Sequence, residues 1–113
     1  MLINMKPRVY SGLVSSVGDS DKVSNAYPQS FNTLPQIAYA EEDNVGREFA
    51  LDLEEGVTYI RYKIDIWSNS TTTDIAMAIE EQMKELGFTR TNCSDIEEPN
   101  GLLHKVLRYQ IYL

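Results

Sequence analysis

The sequence predicts an α+β domain in which a largely antiparallel sheet of four strands, or five if one further short segment joins it, packs two helices on one face. Two stretches have the apolar spacing of an amphipathic helix, and four alternate like strands with one buried side. Their order along the chain is helix, two strands, helix, two strands. At 113 residues the chain has the size of one ordinary domain. We therefore expect a single domain that spans residues 1–113.

The first helix is predicted over residues 6–17. Pro7 suits the first helical turn, because the N–H that proline lacks would have no partner there, and Gly18 is suited to end the helix. Gly12 costs about 1 kcal/mol relative to alanine in a helix interior, so we expect this helix to depend on docking for its stability. The apolar stripe consists of Val9, Tyr10, Leu13, Val14 and Val17.

The second helix follows the polar turn "SNSTTTD". Thr71 or Thr72 can cap it, and Asp74 lies at its positive N-terminus. Gly87 is suited to end it in a left-handed conformation. The apolar positions that predict the helix recur at spacings of four, four and three and are Ile75, Ile79, Met83 and Leu86.

Between the first helix and the first strand, residues 18–35 predict a long loop, because Pro28 and Pro35 disfavour helix in the residues before them. Its apolar anchors are Tyr27, Phe31 and Leu34. The next stretch, "QIAYAEED", alternates and predicts a strand. The stretch "NVGREFALDLEEG" predicts a turn, a short strand and a second turn at Gly56.

The strongest local pattern is "VTYIRYKIDIWS", which predicts a strand with one buried side. The side chains predicted to enter the core are Ile60, Tyr62, Ile64 and Ile66. The opposite row consists of Tyr59, Arg61, Lys63, Asp65 and Trp67. Tyrosine, tryptophan and arginine are enriched at protein interfaces, so this row is the candidate subunit or partner interface. A second element of the same chain covering the row is an equally open alternative.

Two further strands are predicted at the end of the chain, over "FTRTNCSD" and "LLHKVLRYQIYL". In the latter, one parity holds Leu107, Tyr109, Ile111 and Leu113. Cys93 is the only cysteine, so an internal disulfide is impossible. Because free cysteines are among the most buried residues, Cys93 is expected to be a small buried side chain on its strand.

The charge balance argues against nucleic-acid binding. Seventeen acidic and ten basic side chains give a net charge of -7, whereas nucleic-acid binding draws most of its affinity from a clustered basic face. No run approaches the roughly 20 apolar residues of a membrane span. We expect a soluble protein made in the cytoplasm.

No catalytic motif stands out, and we expect no enzymatic activity, no cofactor and no metal site. His104 is the only histidine and is expected to make an ordinary hydrogen bond from a strand. The acidic clusters at 41–43, 54–55 and 95–98 lack the spacing of a calcium loop and are expected to be solvated turn charges. The alternative of a different class is a small metal-dependent hydrolase that uses these clusters, with His104 as base or ligand.

Four segments, taken in order, resemble the small tail terminator or tail-completion proteins of long-tailed bacteriophages and their prophages. They are "YPQSFNTLPQIAYAEEDN", "IRYKIDIWSNS", "IAMAIEEQMKELGFTRT" and "EPNGLLHKVLRY". The first resembles the family's proline-punctuated loop and first strand, and the second its central strand. The third resembles its helix and following strand, and the fourth its last turn and strand. The resemblance covers most of the chain after residue 26 and lies in the order and spacing of these blocks.

The resemblance implies a structural role in the virion, at the junction of head and tail. Such proteins form a ring, typically of six subunits, that caps the tail tube and offers a surface for joining the capsid. The implied partners are other copies of this chain, the tail tube protein and a capsid-side connector protein, with the genome passing through unbound. The acidic residues assigned to the lumen by this reasoning are Glu41, Glu42, Asp43, Glu54 and Glu55. The remaining alternatives are a capsid-side neck protein and an adaptor for one host protein.

Overall fold

The computed structural model describes residues 2–49 and 52–113, and the side chains of residues 47–56 lie outside the description. The helices are α1 (Lys6–Val17) and α2 (Thr73–Glu85), with a short 3-10 turn at Ser20–Lys22. The strands are β1 (Val23–Asn25), β2 (Gln36–Phe49), β3 (Asp52–Ser68), β4 (Thr89–Ile96) and β5 (Leu103–Tyr112). The predicted α+β class is confirmed and the predicted element order broadly fits. The fifth strand is β1, which was not predicted, and not the short strand predicted within "NVGREFALDLEEG".

The sheet is mixed, with the strand order β1-β2-β3-β5-β4. The pairs β2–β3, β3–β5 and β4–β5 are antiparallel, whereas β1 runs parallel to β2 with Val23 opposite Ile37. The prediction that residues 18–35 form one loop is therefore wrong for the 3-10 turn and for β1. A strand of three residues is too short to display a period of two, so only its pairing with β2 reveals it.

The turns predicted near Asn44 and at Gly56 are also wrong, because β2 and β3 run through both positions as one long hairpin. Gly46 lies opposite Thr58 and Arg47 opposite Val57 in the ladder. The register shifts between Arg47 and Phe49. Glycine inside a strand often accompanies such an irregularity, and here it does not end the strand.

The core lies between the sheet and the two helices. Ile60, Tyr62, Ile64 and Ile66 are fully buried, which confirms the predicted core parity of the central strand. Val9 and Leu13 of α1 and Ile79 and Met83 of α2 are equally inaccessible. Each such side chain contributes about 1.5–3 kcal/mol relative to an exposed position, so these two stripes hold the helices on one face of the sheet.

The two helices come close together at Gly12. A Cβ atom at this position would lie 3.3 Å from Cβ of Gln82 on α2, so the missing side chain allows the two backbones to come together. This contact gives a physical reason for a glycine in the middle of a helix.

Both helix ends behave as the sequence predicts. Gly18 has φ 75° and donates its N–H to the carbonyl of Val14. Gly87 has φ 96°, and the N–H groups of Gly87 and Phe88 bond the carbonyls of Lys84 and Met83, which is a Schellman ending. At the start of α2, Thr71 Oγ1 accepts a hydrogen bond from the N–H of Thr73, 3.2 Å away.

The last two strands differ in burial. On β5, Leu107, Tyr109 and Ile111 are buried, whereas Leu113 is exposed beyond the strand end. All eight residues of β4 are exposed, including Cys93. The expected burial of Cys93 is therefore wrong, because β4 is an edge strand, a position that local alternation does not specify.

Candidate functional site

The candidate site is the sheet face that lies opposite the helices, which carries the row of β3 from Tyr59 to Trp67. The row is not uniformly exposed. The side chains of Arg61 and Lys63 retain 41% and 34% of their accessible surface, whereas Tyr59, Asp65 and Trp67 are buried. The expectation of one outward row is thus corrected for these three residues.

Trp67 is covered by the same chain, which is the alternative that the sequence left open. The ring centroids of Tyr27 and Phe31, from the loop between β1 and β2, lie 5.8 and 5.3 Å from that of Trp67. On β5, the imidazole of His104 stacks on the indole with centroids 4.4 Å apart. Only 5% of Trp67 remains accessible as a result.

The chain reverses direction at Ala26, and this turn places the loop against Trp67. This residue has φ 70° although it carries a Cβ atom, and its N–H donates to the carbonyl of Tyr39 at 2.7 Å. Left-handed conformations are uncommon for alanine and persist where surrounding structure fixes them. Of the three predicted anchors, Tyr27 and Phe31 contact Trp67 while remaining exposed, and Leu34 is half-buried.

His104 makes two side-chain contacts where one was expected. Its Nδ1 lies 2.8 Å from Glu98 Oε1, and its Nε2 lies 3.0 Å from Asp65 Oδ1. Because the two ring nitrogens point in different directions, the two carboxylates bracket the imidazole and do not converge on one point. Across residues 2–49 and 52–113, no group of three or more histidine, cysteine or acidic side chains is placed to hold a metal ion.

Ion pairs order the rest of this face. Glu42 Oε1 lies 3.3 Å from Arg61 Nε and 3.1 Å from Arg108 Nε. Lys63 Nζ lies 3.7 Å from Asp65 Oδ2. The two partly exposed pairs of Glu42 contribute about 0–1 kcal/mol each to stability. They hold the long side chains of Arg61 and Arg108 beside one carboxylate oxygen.

The acidic residues assigned to a lumen do not share one face. Glu41 accepts a hydrogen bond from Asn44 Nδ2 at 3.0 Å and lies 3.5 Å from the hydroxyl of Tyr62, on the helix side. Glu42 points to the opposite side, and Asp43 is partly buried. The side chains of Glu54 and Glu55 lie outside the described residues. A lumen-facing role for these residues stays a prediction.

The side chains whose pKa is shifted are buried or hydrogen-bonded within the fold. Burial raises the pKa of the Tyr62 and Tyr109 phenols far above their ordinary value, as it raises the pKa of Tyr39 to a smaller extent. The hydrogen bond to Asp95 raises the pKa of Lys105. All four shifts lead away from neutral pH, so none of these groups is suited to acid or base catalysis there.

Sequence reasoning named Glu98 only as part of the acidic cluster at 95–98 and did not assign it to this face. It follows β4 and lies six residues before His104, separated by the turn "PNG". A carboxylate and a histidine on the two sides of a short turn between paired strands is the signal that could have found it.

The fold and the site define a class of α+β domains in which the helices cover one face of a mixed sheet. The opposite face is polar and partly exposed. No family model and no curated protein matches the chain. Among solved structures, it is similar to a chain of the virion of a native gene transfer agent particle, with a TM-score of 0.56 and 12% sequence identity. The match covers 93% of this chain and 92% of that chain. At this identity the likeness shows a shared fold.

Within the described part of the chain, neither α1 nor α2 is long and apolar enough to cross a bilayer.

Proposed function

We propose that this chain is a structural protein of a phage-like virion, where copies of it form a ring that caps the tail tube and provides the surface for joining the head. The observation that carries the proposal is the fold shared, along nearly the whole of both chains, with a chain of a gene transfer agent virion. The ordered sequence blocks that resemble phage tail terminators support the same proposal, and this support does not depend on the fold.

The sheet face that lies opposite the helices could form the contacts between neighbouring subunits of a ring. A closed ring of identical subunits needs two different patches on each copy that fit one another. The ordered group of Arg61, Arg108 and Glu42 offers a patch with both signs of charge and partial exposure. Such patches favour correct register between subunits more than high affinity.

We also propose that the protein acts without turning over a substrate. The hydrolase alternative would need carboxylates that converge on one point, and the two at His104 approach it from different sides. Calorimetry with manganese tests that alternative directly. Stoichiometric heat that disappears in Asp65→Asn would favour the hydrolase.

The first experiment is light scattering over a concentration series, with and without isolated tail tubes. We expect a ring, or rings on tube ends, and we expect Arg61→Glu to weaken assembly because it places like charges beside Glu42. The matched control is Arg8→Glu, which makes the same charge change at an exposed position of α1. A strict monomer that also leaves tube ends bare would refute the proposal.

A capsid-side neck protein is the nearest alternative within the same class. Isolated tail tubes and isolated portal-bearing heads distinguish the two, because a tail terminator binds the tubes first. In whole particles, antibody label at the junction of capsid and tail is the expected result, and diffuse label in the host cytoplasm is the contrary one.

A further inference from the structure

One cleft on the molecule combines aromatic rings with carboxylates, and the assembly proposed above does not account for it. Its volume is about 340 Å³. One wall is formed by Tyr27, Phe31 and Trp67, and the other includes Asp65, Glu98 and His104. The parts come from the loop between β1 and β2, from β3, and from the turn before β5.

The aromatic wall is fixed in position. Tyr27 and Phe31 meet edge to face with centroids 6.0 Å apart, and each also contacts Trp67. Although it makes these two contacts, Tyr27 keeps 65% of its surface accessible, so it lies at the mouth of the cleft. Ring faces that are rigid and accessible attract cations through their quadrupole.

The polar wall carries one carboxylate that the ammonium group of Lys63 does not pair. Lys63 Nζ lies 3.7 Å from Asp65 Oδ2, whereas the only side-chain partner of Glu98 among the described residues is His104. Glu98 uses Oε1 for His104, and no hydrogen bond among the described residues occupies its Oε2. The contact with His104 holds this carboxylate in a fixed orientation beside the rings.

We propose that this cleft binds the guanidinium group of an arginine side chain presented by another protein. A guanidinium is planar, stacks on aromatic rings and donates paired hydrogen bonds to a carboxylate, which matches the two walls of the cleft. The net charge of -7 on the whole chain favours a basic partner for the same reason. The inference does not depend on the ring.

The cleft contains its own reporter, because Trp67 is the only tryptophan of the chain. The test is a fluorescence titration of the full chain with N-acetyl-arginine amide. The matched probe is N-acetyl-citrulline amide, which has nearly the same shape and no charge. We expect a saturable change for the arginine probe with a dissociation constant on the order of millimolar, and none for citrulline.

Two variants locate the binding. Glu98→Gln removes the charge while keeping an oxygen for His104, and it should weaken binding about tenfold. Tyr27→Ala, at an exposed position, should weaken it about two- to fivefold. Glu81→Gln is the control, because it removes an exposed carboxylate on α2 and should change nothing.

Three outcomes would overturn the proposal. They are an equal response to citrulline, no response to arginine at any concentration, and a response that survives in both cleft variants. Because Tyr27→Ala alters an exposed side chain, it keeps the test decisive even if Glu98→Gln disturbs the fold.

Discussion

Tyr62 and Tyr109, the two most deeply buried tyrosines of the core, make the protein sensitive to alkali, and Tyr109→Phe isolates one of them. Tyr109 is 1% exposed, and its hydroxyl donates a hydrogen bond to Glu80 Oε1 at 2.7 Å. Burial and this acceptor raise the pKa of Tyr109 far above its ordinary value, and burial does the same for Tyr62. Both phenols therefore stay protonated in the folded protein well above the pH at which the unfolded chain loses these protons.

The direction of the effect follows from where the proton is held more tightly. A raised pKa in the folded state stabilises the fold fully below the unfolded pKa of about 10, and the stabilisation is lost as pH rises above that value. At about pH 11, each such tyrosine lowers the free energy of unfolding by about 1.4 kcal/mol relative to neutral pH. Tyr62 and Tyr109 together should lower it by about 2.8 kcal/mol, and the raised pKa of Lys105 acts in the same direction.

Urea denaturation followed by circular dichroism at about pH 8 and about pH 11 measures both parts of the prediction. At the lower pH, Tyr109→Phe should cost about 1–2 kcal/mol, because a hydrogen bond to a charged acceptor is lost but Glu80 is 40% exposed and regains water. Between the two pH values, the variant should lose about 1.4 kcal/mol less than the parent protein.

The control is Tyr112→Phe, because Tyr112 is 60% exposed. This variant should lose as much stability in alkali as the parent protein. If Tyr109→Phe also loses as much as the parent, Tyr109 ionises in the folded state and the reasoning from burial is refuted.

Four other changes have expected outcomes. Ile64→Ala should lower the free energy of unfolding by about 2–5 kcal/mol in chemical denaturation, because a fully buried side chain leaves a cavity. Gly87→Ala should cost about 1 kcal/mol or more in the same assay, because φ is 96° and the new Cβ would lie 3.2 Å from Ile111 Cδ1; an unchanged midpoint would contradict this. His104→Phe keeps a ring on Trp67 but leaves the Asp65 carboxylate without its ring partner, so a loss of about 1–3 kcal/mol is expected, and a gain would show that the pairing is dispensable. Cys93 should react with a thiol reagent in the native protein as fast as in urea, and protection would show that its edge strand is covered.

The sequence predicts core residues where the burial of one face makes apolar residues recur at a regular spacing. The alternation on β3 and the stripe of α1 are both consequences of one face meeting the core, so local spacing predicts Ile64 and Leu13 as core residues. The helix endings were predictable for a related reason, since the left-handed conformation at Gly18 favours glycine itself.

What the sequence could not supply depends on contacts between distant segments. Asp65 meets His104 from 39 positions away, and no local pattern records that pairing. The burial of Trp67 requires the loop that carries Phe31 to fold back over the sheet. The exposure of Cys93 follows from the place of β4 at the edge, which is a property of strand order.

The elongated shape of the molecule has a consequence for any cyclic arrangement of copies. The chain measures 53 Å along its longest axis and 25 by 23 Å across it, and β3 has Asp52 at one end and Trp67 near the other. Rotation about a single axis leaves every copy pointing the same way. Such an arrangement therefore has two chemically different rims. The two directions along its axis are distinguishable because each subunit is itself asymmetric.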